Sequence, residues 1–364
     1  FIKFPNEIEK EFIDLSKRQH FRVKSTFKFS GTDLSFNGNS FIFHNSLTNF
    51  YNEYQENCSK LRIEYLDDLN HLNKLVYDHF NISDLSQNII KDLINKNSAP
   101  IEGEEFLVSK GDVFIKLFTI LMGCSMGYWD IRILKHWKQE WSDEDIFKAR
   151  IHSPFLYGPR ESTLNLVLPE YHDRIKQIWS MSYPIEILEE CATVTDINPI
   201  VDKLKEVIKY LWPETYDTIE EELVDHFKVN DLSDIFDKHS KFFDAHLKDY
   251  SRNKRISPIY WHLGVSSGKF NVWIYYPKLN DNSLYKVINE LVDPKLKEIA
   301  KEVEVLEFNG SAKDFNDQKV FLAELEDFKE ELLRVAQLPY KPNQDDGVLI
   351  TAAPLHNLFR HTKW

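Results

Sequence analysis

The sequence predicts an α+β fold, mainly helical, with a small β-hairpin or sheet and a C-terminal antiparallel helical hairpin. Three patterns carry that expectation. Leu61, Tyr65, Leu69, Leu72 and Val76 recur at spacings of four, four, three and four, the repeat of one helix face. Ile259, Trp261 and Leu263 alternate before a turn bounded by Gly264 and Gly268, and Phe270, Val272, Ile274 and Tyr276 alternate after it, as in paired strands. Phe321, Leu325, Phe328, Leu332 and Val335 repeat at four, three, four, three, the seam along which two antiparallel helices zip together.

From the N-terminus, residues 5–17 read as a helix start. The segment after them places Phe21, Val23, Phe27 and Phe29 on a two-residue period closed by Gly31, the pattern of a strand or hairpin arm. Residues 47–80 form a long helix, stopped where Asn81 and Ser83 suit a turn or cap better than a helix interior. A loop over 95–103 precedes a compact apolar helix, in which Gly123 and Gly127 would let another helix approach closely. Residues 142–250 are polar and helix-prone, broken by six prolines from Pro154 to Pro213, with a helix N-terminus expected at 197–201. Residues 231–249 describe an amphipathic helix with His239 and His246 at the edge of its stripe, as core-edge histidines. After the strand pair, which would bury one face and show Tyr260, His262, Lys269, Trp273 and Tyr275 on the other, or the reverse if the register slips by one, a helix is expected over 283–306 with a kink or restart at Pro294. A loop and the seam helix follow, then an Asp-Gly turn and a short strand over 348–351. The expected organisation is a helical unit with a β arm over 1–141, a variable helical insertion over 142–250 and a C-terminal unit over 251–364.

With 364 residues, 42% hydrophobic and 14% aromatic, the chain can bury the cores of two or three packed units. Eleven glycines and fourteen prolines are too few for a fibrous or low-complexity protein. The longest apolar run, 113–122, is interrupted by Lys116 and falls short of the roughly 20 residues of a membrane span, so no membrane partner is expected. Cys58, Cys124 and Cys191 are too far apart for a disulfide framework or a zinc pair, which fits a reducing, cytoplasmic setting. A start at Phe1 and a stop after Trp364 lead us to expect a piece of a longer polypeptide.

The net charge of −13 hides two basic islands. Residues 15–32 hold Lys17, Arg18, Arg22, Lys24 and Lys28 and no acid; residues 251–278 hold Arg252, Lys254, Arg255, Lys269 and Lys278 and again no acid. The other 318 residues carry 35 basic and 58 acidic groups, so a polyanion would meet a local patch very unlike the average. Enzyme signatures are missing. No Gly-x-Gly pair, no phosphate loop and no adjacent prolines occur, which removes dinucleotide and adenosyl-cofactor loops and the Asn/Asp-Pro-Pro-aromatic motif of amino-methylating enzymes. His71 and His79, with Asp68 and Asp78 nearby, lack a third metal ligand. The acids of 220–222 and 324–331 read as solvated helix faces. In the second island, Arg and Lys supply phosphate contacts and the aromatics Tyr260, Trp273 and Tyr275 a stacking surface, so the expected DNA-binding residues are Arg252, Lys254, Arg255, Tyr260, His262, Lys269, Trp273, Tyr275 and Lys278, joined by Arg22, Lys24 and Lys28.

The stretch "RISPIYWHLGVSSGKFNVWIYYPKLNDNSLYKVINELVDPKLKEIAKEVEVLE", followed by "ELEDFKEELLRVAQLPYKPNQDDGVLITAAPLHNLF", resembles the C-terminal part of large adenine-specific DNA methyltransferases, above all the PglX-like enzymes of bacteriophage-exclusion (BREX) systems and the related fused restriction-modification methylases. "STFKFS", "YLDDLNHLNKLVYDHFNI" and "ILMGCSMGYWDIR" match the family's upstream segments in order. The matching blocks are 20–30, 61–80, 113–129, 254–308 and 320–359, specific in the last hundred residues and weak between 145 and 250. The resemblance implies a target-recognition region that grips duplex DNA while a catalytic domain of the same polypeptide flips and methylates adenine with S-adenosylmethionine. The family's cofactor and Asn-Pro-Pro-Tyr motifs are absent, so no catalytic residue and no cofactor site carries over to this chain. The acidity outside the islands departs from that picture; the expectation is either that it faces other defence-system subunits or that a phage-encoded DNA-mimic inhibitor competes for the basic groove. Two alternatives stand beside it: a protein-interaction module of a defence complex, and a nuclease with a scattered acidic site.

Overall fold

A computed structural model describes residues 5–26, 40–96, 103, 106–136, 169, 172–188, 191–194, 198–238, 242–243, 245–246, 259–338 and 352–359. The chain is mainly helical with a small antiparallel sheet and a C-terminal helical hairpin, as expected. It divides into two compact units, Phe1–Lys116 with Ile133–Ser180, and Leu117–Arg132 with Met181–Trp364. The division interleaves segments instead of following the three consecutive stretches read from sequence.

The first unit is built on helices α1 (Asn6–Thr26) and α2 (Leu47–His79), followed by α3 (Asp84–Lys96). The expected β arm is helical as far as Thr26, and its Phe27 and Phe29 lie outside the described residues. Tertiary pairing overrides the local alternation: Leu15 is buried, and Arg18 and Arg22 reach carboxylates on α2 that a strand would not face. Helix α2 starts where the Ser46 hydroxyl accepts the Asn49 N–H at 3.1 Å. It ends at Asn81, whose φ of 50° is left-handed, a conformation asparagine tolerates. Helix α4 (Lys110–Ser125) carries the chain across the division between units, and α5 (Ile131–His136) carries it back to α6 (His172–Trp179).

From Leu117 on, helix α4 is almost wholly apolar and buried round its circumference, whereas Asp112 in its first turn is exposed; Phe114, Leu117, Phe118 and Leu121 have no exposed surface. In the second unit Phe118 packs edge-on to Phe227 and Phe242, with ring centres 5.5 and 4.6 Å away. The two glycines serve a turn, not a helix crossing. Gly127, at φ 73°, is the left-handed residue after α4: the Tyr128 N–H bonds the Gly123 carbonyl at 2.8 Å and the Gly127 N–H bonds that of Cys124 at 3.1 Å. Trp129 folds back over Gly123, where a Cβ would lie 2.4 Å from its ring. Just beyond, the buried Asp130 and Arg132 form a two-point ion pair at 2.7 and 3.1 Å, and the guanidinium also donates to the Met181 carbonyl at 2.6 Å.

Strand β1 (Cys191–Val194) precedes helices α7 (Asn198–Leu211), α8 (Tyr216–Phe227) and α9 (Leu232–Lys238). The start of α7 falls where the sequence places a helix N-terminus. Strands β2 (Tyr260–Gly264) and β3 (Asn271–Tyr275) form the expected hairpin, with Tyr260 opposite Tyr275 and Gly264 opposite Asn271. β1 adds on the far side of β3, giving an antiparallel sheet of order β1-β3-β2. The sequence held no sign of this third strand, because four residues inside a polar, proline-broken stretch carry too little period to read. The helix then runs through α10 (Ser283–Val287), a π turn (Ile288–Val292) and α11 (Asp293–Asn309). Pro294 has no N–H to continue the α ladder, and the widened turn just before it absorbs that loss without a break. Helix α12 (Ala312–Gln337), capped by Ser311, returns antiparallel to α11; all five seam residues are buried. Gln318 donates to Glu302 at 2.9 Å and Lys329 pairs with Asp293 at 2.7 Å, which fixes the hairpin register. A 3-10 turn (Ala353–Leu358) closes the described chain; the strand expected at 348–351 lies outside it.

Candidate nucleic-acid interface

The expected DNA-binding residues fall into three groups. Tyr260, His262, Trp273 and Tyr275, expected on an open face, are all buried, with at most 6% of their surface exposed. The physical reason is the segment that precedes the sheet. Phe242, Phe243 and His246 lie over the face that the alternation leaves open: His246 stacks on Tyr260 at 4.4 Å, His262 stacks on Trp273 at 4.1 Å, and Phe243 meets Trp273 at 6.3 Å. Both faces of β3 are therefore core, and the stacking surface expected for bases does not exist there. His246, expected at the edge of an apolar stripe, is fully enclosed, and its Nε2 accepts the Ile259 N–H at 3.2 Å. Burial pushes its pKa down to about 3, so the ring stays neutral and keeps that nitrogen free to accept.

Arg22 is the second correction. It donates to Glu64 at 3.2 Å and to Asp68, and Arg18 binds the same Asp68 at 3.1 and 3.2 Å. Burial alone raises the Asp68 carboxyl, but the two guanidinium partners outweigh it and hold it below the usual range. Two of the five bases of the first island are thus neutralised by α2, because two antiparallel helices bring bases and acids of distant sequence into register. The side chain of Lys24, and all of Lys28, lie outside the described residues.

Lys269 and Lys278 are exposed, as expected, at opposite ends of β3. Lys269 sits 5.4 Å over the Phe321 ring with its ammonium 3.5 Å from the Asp317 carbonyl. Lys278 sits 5.7 Å over Tyr275. Since Tyr275 pairs with Tyr260 at the start of β2, Lys278 shares the end of the sheet to which the chain leads from Arg252, Lys254 and Arg255. Those three lie outside the described residues.

No group of three or more His, Cys, Asp and Glu suited to a metal ion occurs among the described residues, and His71 is bonded to Glu11 at 3.0 Å. No helix among them is long and apolar enough to cross a membrane. Of the acids read as a solvated face, Glu324 and Glu331 are half-buried and line a cleft with Asp327. Their spacing of three and four marks one helix face, but nothing in it says that another element stands opposite. No protein-family model matches the chain, and no curated protein matches it.

Proposed function

We propose that this chain is the target-recognition portion of an S-adenosylmethionine-dependent N6-adenine DNA methyltransferase of restriction-modification or BREX-type phage defence. It would hold duplex DNA for a catalytic domain outside these 364 residues. The observation that carries the reading is the acid-free run 251–278, with five basic residues in a chain of net charge −13, leading into a sheet whose two faces are packed. The buried aromatics act as scaffold rather than as stacking partners. Contact falls to Arg252, Lys254 and Arg255, which precede β2 in sequence, and to Lys278, and such groups grip phosphates and set orientation. Base-specific reading and cofactor binding belong to parts outside this sheet.

The test is fluorescence anisotropy with a random-sequence duplex at several salt concentrations. Saturable binding that weakens linearly with log salt is expected. Replacing Arg252, Lys254 and Arg255 together with Ala should lower the log-log slope by up to about three units. An unchanged slope would remove the proposal. A protein-interaction module is the second reading, favoured by Phe308, 83% exposed near the α11–α12 tip, with Val305 beside it. Retention of a protein from the same operon, with no retention of duplex DNA, would select it.

A further inference from the structure

We propose that Met181–Leu188 is a latched strap, which leaves the second unit together with β1 in one opening step while the β2–β3 hairpin stays folded. The strap lies on the turn between α4 and α5 and is tied at both ends. At its start the Met181 carbonyl accepts the Arg132 guanidinium at 2.6 Å, and at its end the Leu188 N–H donates to the Ser125 carbonyl at 2.8 Å. Between them the Tyr183 ring lies 5.0 Å from that guanidinium, and Ile187 covers Gly127, where a Cβ would come within 2.9 Å of it.

Among the described residues little else holds the segment. Ser182, Pro184 and Glu186 are exposed, Met181 and Ile187 keep 41% and 40% of their surface in solvent, and only Leu188 is buried. The pair of Glu186 with Lys203 on α7, at 3.5 Å, is a surface pair and adds little. Segments with few buried apolar groups open at the low end of a protein's range of local stabilities. Arg132 is the latch. Asp130 grips its Nε and Nη2 inside the core, which leaves Nη1 to reach the strap.

Three residues beyond Leu188 the chain enters β1, four residues at the edge of the sheet. The register tells what its departure uncovers. The Tyr276 N–H and the Phe270 carbonyl turn toward β2, to Ile259 and Val265, so by alternation Asn271 and Trp273 turn theirs to Val194 and Ala192 of β1. Opening therefore bares the backbone N–H and C=O groups of Asn271 and Trp273, an edge of the kind to which an extended segment of another chain adds.

Native-state hydrogen exchange of the full chain, read by NMR at single amides in sub-denaturing urea, tests this. Leu188, Ala192 and Val194 should share one protection, at least tenfold below that of Val265 and Tyr276, whose amides bond across the β2–β3 pair, and should show a shallower urea dependence. Leu325→Ala, which loosens the α12 seam whether the strap is open or closed, should speed Val265 and Tyr276 at least tenfold and leave the other three amides unchanged. Arg132→Lys keeps a cation for Asp130 but loses the fork that reaches both partners. It should speed Leu188, Ala192 and Val194 by one common factor of about ten, the worth of a charged hydrogen bond. The strap is overturned if these three amides share the protection and urea slope of Val265 and Tyr276, or if Arg132→Lys speeds Leu188 and leaves Ala192 and Val194 as they were.

Discussion

The β2–β3 hairpin and the α11–α12 hairpin were both announced by apolar periodicity, yet only the helical pair carries its environment in its pattern. The seam residues of α12 are buried and its other faces are partly or wholly exposed, because a helix with a narrow stripe turns that one stripe inward, here onto α11 and, at Phe328, onto Phe270. A strand has two faces of equal size. Alternation says which residues share a face and is silent on what covers the second one. In this sheet the alternate residues Tyr260, His262, Trp273 and Tyr275 are as large and as buried as Trp261, Val272 and Ile274. The lesson is that aromatic, half-polar side chains on a strand do not mark an open face when an aromatic segment lies nearby in sequence.

The sharpest way to break this contrast is Trp273→Ala. As core it should cost about 3–5 kcal/mol, measured by urea denaturation; a loss within about 0.5 kcal/mol would return Trp273 to an open face. Removing Arg132 from its buried pair with Asp130 should cost about as much, since it strands a carboxylate in the interior. Leu325→Ala in the seam should cost about 2–5 kcal/mol and so match the sheet in kind, showing that both hairpins rest on burial.

Acid provides a finer probe, because His246 lies on the disputed face. Its native pKa of about 3 is below the unfolded value near 6.5, so in that window the unfolded chain binds the extra proton. Stability should therefore fall as pH drops below about 6.5, by up to about 1.4 kcal/mol per unit, and be flat with respect to this group above it. Equilibrium melts of the parent and of His246→Gln across pH 5–8 check this; identical slopes would mean that the ring is solvated. The smallest effect belongs to the first unit, where Arg22→Ala should cost about 1 kcal/mol or less. It should leave DNA affinity and its salt slope unchanged, since Arg22 is already answered by Glu64 and Asp68.

Much of the architecture was legible in order. The bounds of α2, the start of α7, the pairing of β2 with β3 and the α12 seam all follow from short-range pattern and caps, whereas the β2–β3 register, open to a slip of one residue in the sequence, is fixed only in the structure. The candidate interface was legible only as charge: an acid-free run is a property of the chain, but which of its aromatics point outward is not. The same holds for Gly127, recognisable as a glycine of consequence and intelligible only as the left-handed close of α4.

By itself the sequence determined a mainly helical α+β chain, the two basic islands, the absence of the common cofactor loops and the residues that share each face. Tertiary structure alone decided that β1 joins the sheet, that α2 neutralises Arg18 and Arg22, and that Phe242, Phe243 and His246 close the second face. Each of these depends on groups far apart in the chain meeting at hydrogen-bond or van der Waals distance. Local pattern records the period of a segment, whereas the partner across the gap is chosen by the burial and charge of the whole unit.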